Sequence, residues 1–148
     1  MGADLYITAL YEPTHKQWEP EFERAARARD NATDDASRKV AQVRVEQAYD
    51  QMHSRGYFRD SYNKWNLLRK FGLSWWTDVI PMLDAEGCLS PDQAASLLGT
   101  LKAHEPKFEA AVRELKPRDR TYFRQRYAEL VQFLNEAIAL NRSVECSL

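Results

Sequence analysis

The chain has 148 residues, 44% of them hydrophobic, with 21 basic and 22 acidic residues and a formal charge of -1. That length can bury one core without staples, so a single domain over 1–148 is expected, and the balanced charge supplies no global field toward DNA or an anionic membrane. No apolar run approaches the roughly 20 residues that would span a bilayer, Met1–Thr8 lacks a basic leader, and only Cys88 and Cys146 occur, so a soluble protein of the reducing cytoplasm is expected.

Asp4–Leu10 alternates Leu5, Ile7 and Ala9 against Tyr6, Thr8 and Leu10, which suits a short strand. Its best partner is the tail Ser143–Leu148, giving a two-stranded pairing of the termini. A helix is expected from about Trp18, with Pro20 in its first turn and Trp18, Phe22, Ala25 and Ala26 as its apolar stripe. The polar break Asp30–Asp35 ends it or kinks it. A second helix carries Ala41, Val45, Ala48 and Met52 to Arg55, with Gly56 as a left-handed cap.

Beyond Gly56, Asp60 or Ser61 can cap a helix bearing Tyr62, Trp65, Leu68 and Phe71, which Gly72 closes. Ser74 caps the next short helix, Trp75 to Ile80, which Pro81 stops. Leu89-Ser90-Pro91-Asp92-Gln93 is a capping box with proline at the first helical position, followed by a buried face of Ala94, Leu97, Leu98 and Leu101. Gly99 inside that helix points to a close helix crossing. A short amphipathic helix follows Pro106 through Phe108, Val112 and Leu115. The last helix, Arg118–Asn141, has the cleanest stripe: Phe123, Tyr127, Leu130, Leu134 and Ala137. The expected fold is therefore mainly α, a compact bundle of six or seven helices.

The stretch Arg55–Trp76 departs from ordinary helical composition. It holds Tyr57, Phe58, Tyr62, Trp65, Phe71, Trp75 and Trp76, with cations Arg55, Arg59, Lys64, Arg69 and Lys70 facing one anion, Asp60. Most of these rings are expected in the core, because helical periodicity predicts burial first. Adjacent Trp75 and Trp76 diverge by about 100° on a helix, however, so one of them is expected at the surface.

Two binding functions fit this composition. The first is a non-enzymatic interaction protein, an adaptor, inhibitor or immunity-type accessory, docking a protein partner through Arg55, Tyr57, Arg59, Asp60, Tyr62, Lys64, Trp65, Arg69, Trp75 and Trp76, since Trp, Tyr and Arg dominate interface hot spots. The second is nucleic-acid binding, in which a second basic aromatic run at 116–127, with Lys116, Arg118, Arg120, Arg124 and Arg126, joins the first to neutralise phosphates and stack bases. A small hydrolase-like enzyme would need Asp60, Tyr62 and Asp78 in one cleft, with His53 as an optional fourth group.

No catalytic residue, metal ligand or cofactor site is assigned from the sequence. His15, His53 and His104 show no metal-ligand spacing, and the glycines are scattered singly. Asp84–Gln93 resembles the middle of a calcium loop, but Met82 and Gln93 fall where the first and last ligands belong, and a helix-turn-helix connection explains it better. Asp60 is expected to cap a helix and Asp78 to sit in a first turn.

Overall fold

A computed structural model describes all 148 residues, and the fold is mainly α with a small four-stranded antiparallel sheet. The chain divides into two compact units: Met1–Ile7 with Phe58–Leu148, and Thr8–Tyr57.

The second unit is a helical hairpin, α1 (Thr8–Asp30) and α2 (Asp35–Met52). Asp34 starts α2, its carboxylate accepting the Ser37 amide at 2.7 Å. Ala41, Val45, Ala48 and Met52 form the buried seam of α2, as the helical spacing predicts, whereas of the stripe expected on α1 only Ala25 is buried and Trp18, Phe22 and Ala26 are half-buried. Two expectations fail here. The helix starts at Thr8, which cuts the first strand back to Gly2–Tyr6, and it runs through both Pro13 and Pro20. A proline in a helix interior costs about 3 kcal/mol, and packing along α2 offsets it. At the other end α2 stops at Met52, so Gly56 (φ +63°) turns the chain into the next strand and caps no helix directly.

The larger unit is built on the sheet, whose order is β2 (Tyr57–Ser61), β1 (Gly2–Tyr6), β4 (Val144–Ser147), β3 (Cys88–Leu89). The expected pairing of the termini is present, with Leu5 opposite Cys146, and β2 and β3 extend it on either side. Along β1, Ala3 and Leu5 are buried, and along β2 Phe58 and Asp60 are, so each strand presents one face to the core. Gly2 permits the close approach of these two strands: a Cβ there would lie 2.5 Å from the Asp60 carbonyl oxygen.

After β2 come α3 (Leu67–Lys70), a π-helical turn (Trp75–Val79) and a 3-10 turn (Ile80–Met82), and between β3 and β4 lie α4 (Pro91–Ala103), α5 (Glu105–Arg113) and α6 (Pro117–Ala139). Phe71, Phe108 and Tyr127 bind α3, α5 and α6 together, with Phe71 stacked on Phe108 at 4.5 Å and Tyr127 against both at 4.9 and 5.2 Å. Such ring pairs favour offset or edge contacts at this spacing. Ser90 accepts the Gln93 amide at 3.2 Å and Ser74 the Trp76 amide at 3.2 Å, both as their spacing predicts. Gly99 marks no helix crossing, since a Cβ there would meet nothing within 4 Å.

The main departure from the sequence pattern lies between Tyr57 and Asn66. The helix expected to start at Asp60 or Ser61 is a strand followed by a loop, and only Leu67–Lys70 is helical. Two asparagines hold the loop. Asn63 accepts the Trp65 amide at 2.8 Å, while Asn66 accepts the Arg69 amide at 2.7 Å and donates to the Ser61 carbonyl at 2.7 Å. These local bonds compete with a helix and win, as asparagine side chains do at turns and caps.

Candidate functional site

Asp60 is the anchor of the region that the sequence singles out. It is 3% exposed on the inner face of β2, and its carboxylate accepts the Leu67 amide at 2.8 Å, the Leu68 amide at 3.2 Å and the Trp75 indole N–H at 2.8 Å. It therefore caps α3 across the fold rather than along the chain. Burial raises its pKa above the ordinary carboxylate value, and the three hydrogen bonds and the Arg126 charge only partly oppose that shift. Arg126 lies 4.4 Å over the Phe58 ring and donates to the Arg59 carbonyl and to Glu129.

Trp75, at 1% exposure, is the buried partner of this clamp. Trp76 is the tryptophan at the surface, 55% exposed. Asp78 is likewise structural: exposed on the π-helical turn, it accepts the Ser74 amide at 2.8 Å and the Thr77 hydroxyl at 3.0 Å. Asp60 and Asp78 thus serve separate caps, and His53 belongs to the helical hairpin unit. The carboxylates of Asp60 and Asp78, which share the larger unit with Tyr62, are each taken up by capping amides.

The loop Ser61–Asn66 divides two concavities of the larger unit. On one side, Ser61, Lys64 and Trp65 meet Lys116, Arg118, Asp119 and Tyr122 from the start of α6, around a cleft of about 710 Å³. The Trp65 ring stacks on Phe123 at 6.0 Å, meets Tyr122 edge-on at 5.2 Å and carries the Lys64 ammonium 5.4 Å from its centroid. Lys70 extends the same column, 5.0 Å over Phe123. Lys64, Lys116 and Arg118 form no ion pair, whereas Arg124 is bound to Glu109 at 3.0 Å and Arg126 to Glu129. Lys116 and Arg118 also flank the N-terminus of α6, where the helix dipole is positive and cations are disfavoured. Asp119 is the one carboxylate in the lining.

On the other side of the loop, Tyr62, Asn66, Arg69, Leu73, Ser74, Trp75 and Trp76 enclose a smaller pocket of about 250 Å³. Tyr62 and Trp76 form its aromatic wall, 5.9 Å apart. The Tyr62 hydroxyl is buried without a hydrogen-bond partner, and desolvation and the nearby Asp4 and Asp60 charges raise its pKa.

The remaining predicted residues go elsewhere. Arg59 is exposed on β2 and pairs with Asp4 at 3.4 Å. Arg55 and Tyr57 fall in the helical hairpin unit, where Tyr57 joins an aromatic cluster invisible at sequence level. There His53 lies 4.7 Å from Tyr57 and 4.2 Å from Tyr49, its Nδ1 is 2.8 Å from the Tyr49 carbonyl and its Nε2 is 3.5 Å from the Tyr11 hydroxyl. His15 meets His53 edge-on at 6.2 Å. No three or more His, Cys, Asp or Glu side chains gather in a way that could hold a metal ion. Asp84 closes a tight turn by accepting the Glu86 and Cys88 amides at 3.0 and 2.9 Å, so this connection leads into β3 and is not a plain helix-turn-helix. Both cysteines are free thiols with raised pKa values, Cys146 pushed up to about 12 by burial.

Comparison of the chain with protein-family models, with curated proteins and with solved structures finds no match. No helix is long and apolar enough to cross a membrane.

Proposed function

We propose that the larger unit binds single-stranded nucleic acid in the cleft between Ser61–Trp65 and Lys116–Tyr122. One observation carries the reading: two basic aromatic runs, far apart in sequence, line one 710 Å³ cleft in which Lys64, Lys116 and Arg118 have no carboxylate partner. Cations left unpaired at a helix N-terminus are disfavoured for folding, so an external anion is the natural counter-charge. Rings beside them suit bases better than a bare anion, since stacking contributes about 1–3 kcal/mol per base and tolerates any sequence.

The mechanism is electrostatic capture followed by stacking. Phosphates displace counterions at the three cations, and exposed bases settle against Trp65 and Tyr122. Asp119 repels a phosphate and favours a base edge at its position. Because the chain carries no large net charge, affinity should come from these local contacts alone and saturate with a short oligonucleotide.

Fluorescence anisotropy of a labelled single-stranded oligonucleotide, titrated at several salt concentrations, tests this. Three phosphate contacts give a log–log salt slope of about -2. Changing Lys64 and Arg118 together to Gln should weaken binding at least tenfold. No saturable binding at low salt would end the reading, and preferential capture of an acidic peptide in the same cleft would replace it with a protein partner.

A further inference from the structure

The second pocket carries chemistry of its own. Its open polar groups can all donate hydrogen bonds. Arg69 is exposed and has no ion pair, the Trp76 indole N–H has no partner, and Ser74 Oγ accepts the Trp76 amide at 3.2 Å, which leaves its hydrogen to give. The Tyr62 hydroxyl, buried without a partner, is a further group able to donate, whereas Asn66 is engaged at both amide atoms, the Trp75 indole N–H is held by Asp60, and the Asp78 carboxylate is turned into its own turn by Ser74 and Thr77. A site whose one charged group is a cation and whose open polar groups can all donate favours an anion. Its walls, Trp76, Tyr62 and Leu73, are apolar.

Volume narrows the occupant. A space of about 250 Å³ holds one side chain with its own backbone and little more, in contrast to the 710 Å³ of the neighbouring cleft. An internal acidic residue would have to bring a chain in and out again. A chain terminus enters once and supplies the carboxylate and an apolar side chain together, as in recognised modes of peptide-end capture.

We propose that the Arg69–Trp76 pocket binds the C-terminal carboxylate of a protein partner whose last residue is apolar. Arg69 and the Ser74 hydroxyl hold the carboxylate, and the terminal side chain packs against the wall that Trp76 and Tyr62 form together. The exposed indole is the binding element, since burying an aromatic anchor next to an arginine is the usual composition of an interface hot spot. This site shares no lining residue with the cleft assigned to nucleic acid, so the two can be tested separately.

The test uses the full chain and a pool of fluorescein-labelled pentapeptides, randomised at four positions and ending in Leu, Ile, Val or Phe, read by anisotropy. The free-acid pool should bind saturably, and the same pool amidated at its C-terminus should bind at least tenfold more weakly. Arg69→Gln and Trp76→Ala should each cost at least tenfold. Lys64→Gln should leave binding unchanged. Both exposed substitutions are expected to fold, which near-ultraviolet circular dichroism checks. Absence of binding by the free-acid pool, or equal binding of acid and amide, overturns the assignment. Equal or tighter binding of 3-phenylpropionate than of the pool also overturns it, in favour of a small aryl carboxylate.

Discussion

Asp60 and Lys64 lie four residues apart in the chain, and their surroundings are opposite. Asp60 is buried and satisfied, with two amides and an indole N–H on its carboxylate. Lys64, with Lys116 and Arg118, stands at an open cleft with rings beside it and forms no ion pair. Both regions are built of aromatics and charge, and composition alone makes them one stretch. The difference teaches that charge becomes structural when its partners lie within the fold, and is available for binding when they do not.

The largest expected effect comes from breaking the satisfied side. Asp60→Ala leaves three buried donors without an acceptor, at roughly 1–3 kcal/mol each when truly orphaned, so a loss on the order of 3 kcal/mol or more is expected in urea denaturation. Asp60→Asn keeps one acceptor and should lose less. A loss under about 1 kcal/mol for the alanine variant would mean that water replaces the carboxylate easily and that the clamp does not organise the region.

The same carboxylate gives the comparison a pH dependence. A raised folded pKa means the folded chain keeps its proton where the unfolded chain has lost it, so this group's contribution is fully present below the unfolded value and is lost as pH rises through the folded one. Asp34, an exposed cap whose pKa is lowered by the Ser37 amide and hydroxyl, behaves oppositely: its contribution is present above the unfolded value and is lost as pH falls through the folded one. Urea midpoints of wild type and Asp60→Asn from pH 3.5 to 7 should therefore shift in favour of the asparagine variant as pH rises. A shift in favour of wild type would show that hydrogen bonding to the ionised carboxylate outweighs its burial.

The sequence made much of this frame legible, and where it failed the reason is physical. Helical stripes in α2, α4 and α6 repeat over several turns, so their buried faces follow from spacing; Leu97, Leu101, Leu130 and Leu134 are all fully or almost fully buried. The pairing of the termini was readable from one alternating segment and one irregular tail. The span Tyr57–Asn66 misled, because Tyr62, Trp65, Leu68 and Phe71 happen to fall at helical spacing while Asn63 and Asn66 close local turns that stop a helix. The asparagines were visible, and Asn66 three residues before Arg69 has cap spacing. The division of the loop could not be read, since it depends on which face Ser61, Lys64 and Trp65 turn toward α6. Nor could the gathering of Tyr11, His15, Tyr49, His53 and Tyr57, which needs the hairpin to form first.

A smaller effect probes the boundary between the two regions. Tyr62 sits where the clamp gives way to the surface, and its buried hydroxyl has no partner. Removing an unsatisfied polar group of unchanged shape should be neutral or stabilising, so Tyr62→Phe is expected to keep or raise stability by up to about 1 kcal/mol. A clear loss would place that hydroxyl in a hydrogen-bonded network and move Tyr62 to the structural side.

The smallest expected effect is on the open side. Arg118 occupies the first turn of α6 and forms no ion pair, so its charge opposes the helix dipole. Interactions of this kind amount to roughly 0.3–1 kcal/mol at low ionic strength and shrink with salt. Arg118→Gln should therefore fold as well as wild type or a few tenths of a kcal/mol better, with the gain fading as salt is added. The same variant should bind the oligonucleotide more weakly. Stability and binding moving in opposite directions is the signature of a cation kept for a ligand. If both fall together, Arg118 supports the fold, and the cleft loses one of the three cations on which its proposed function depends.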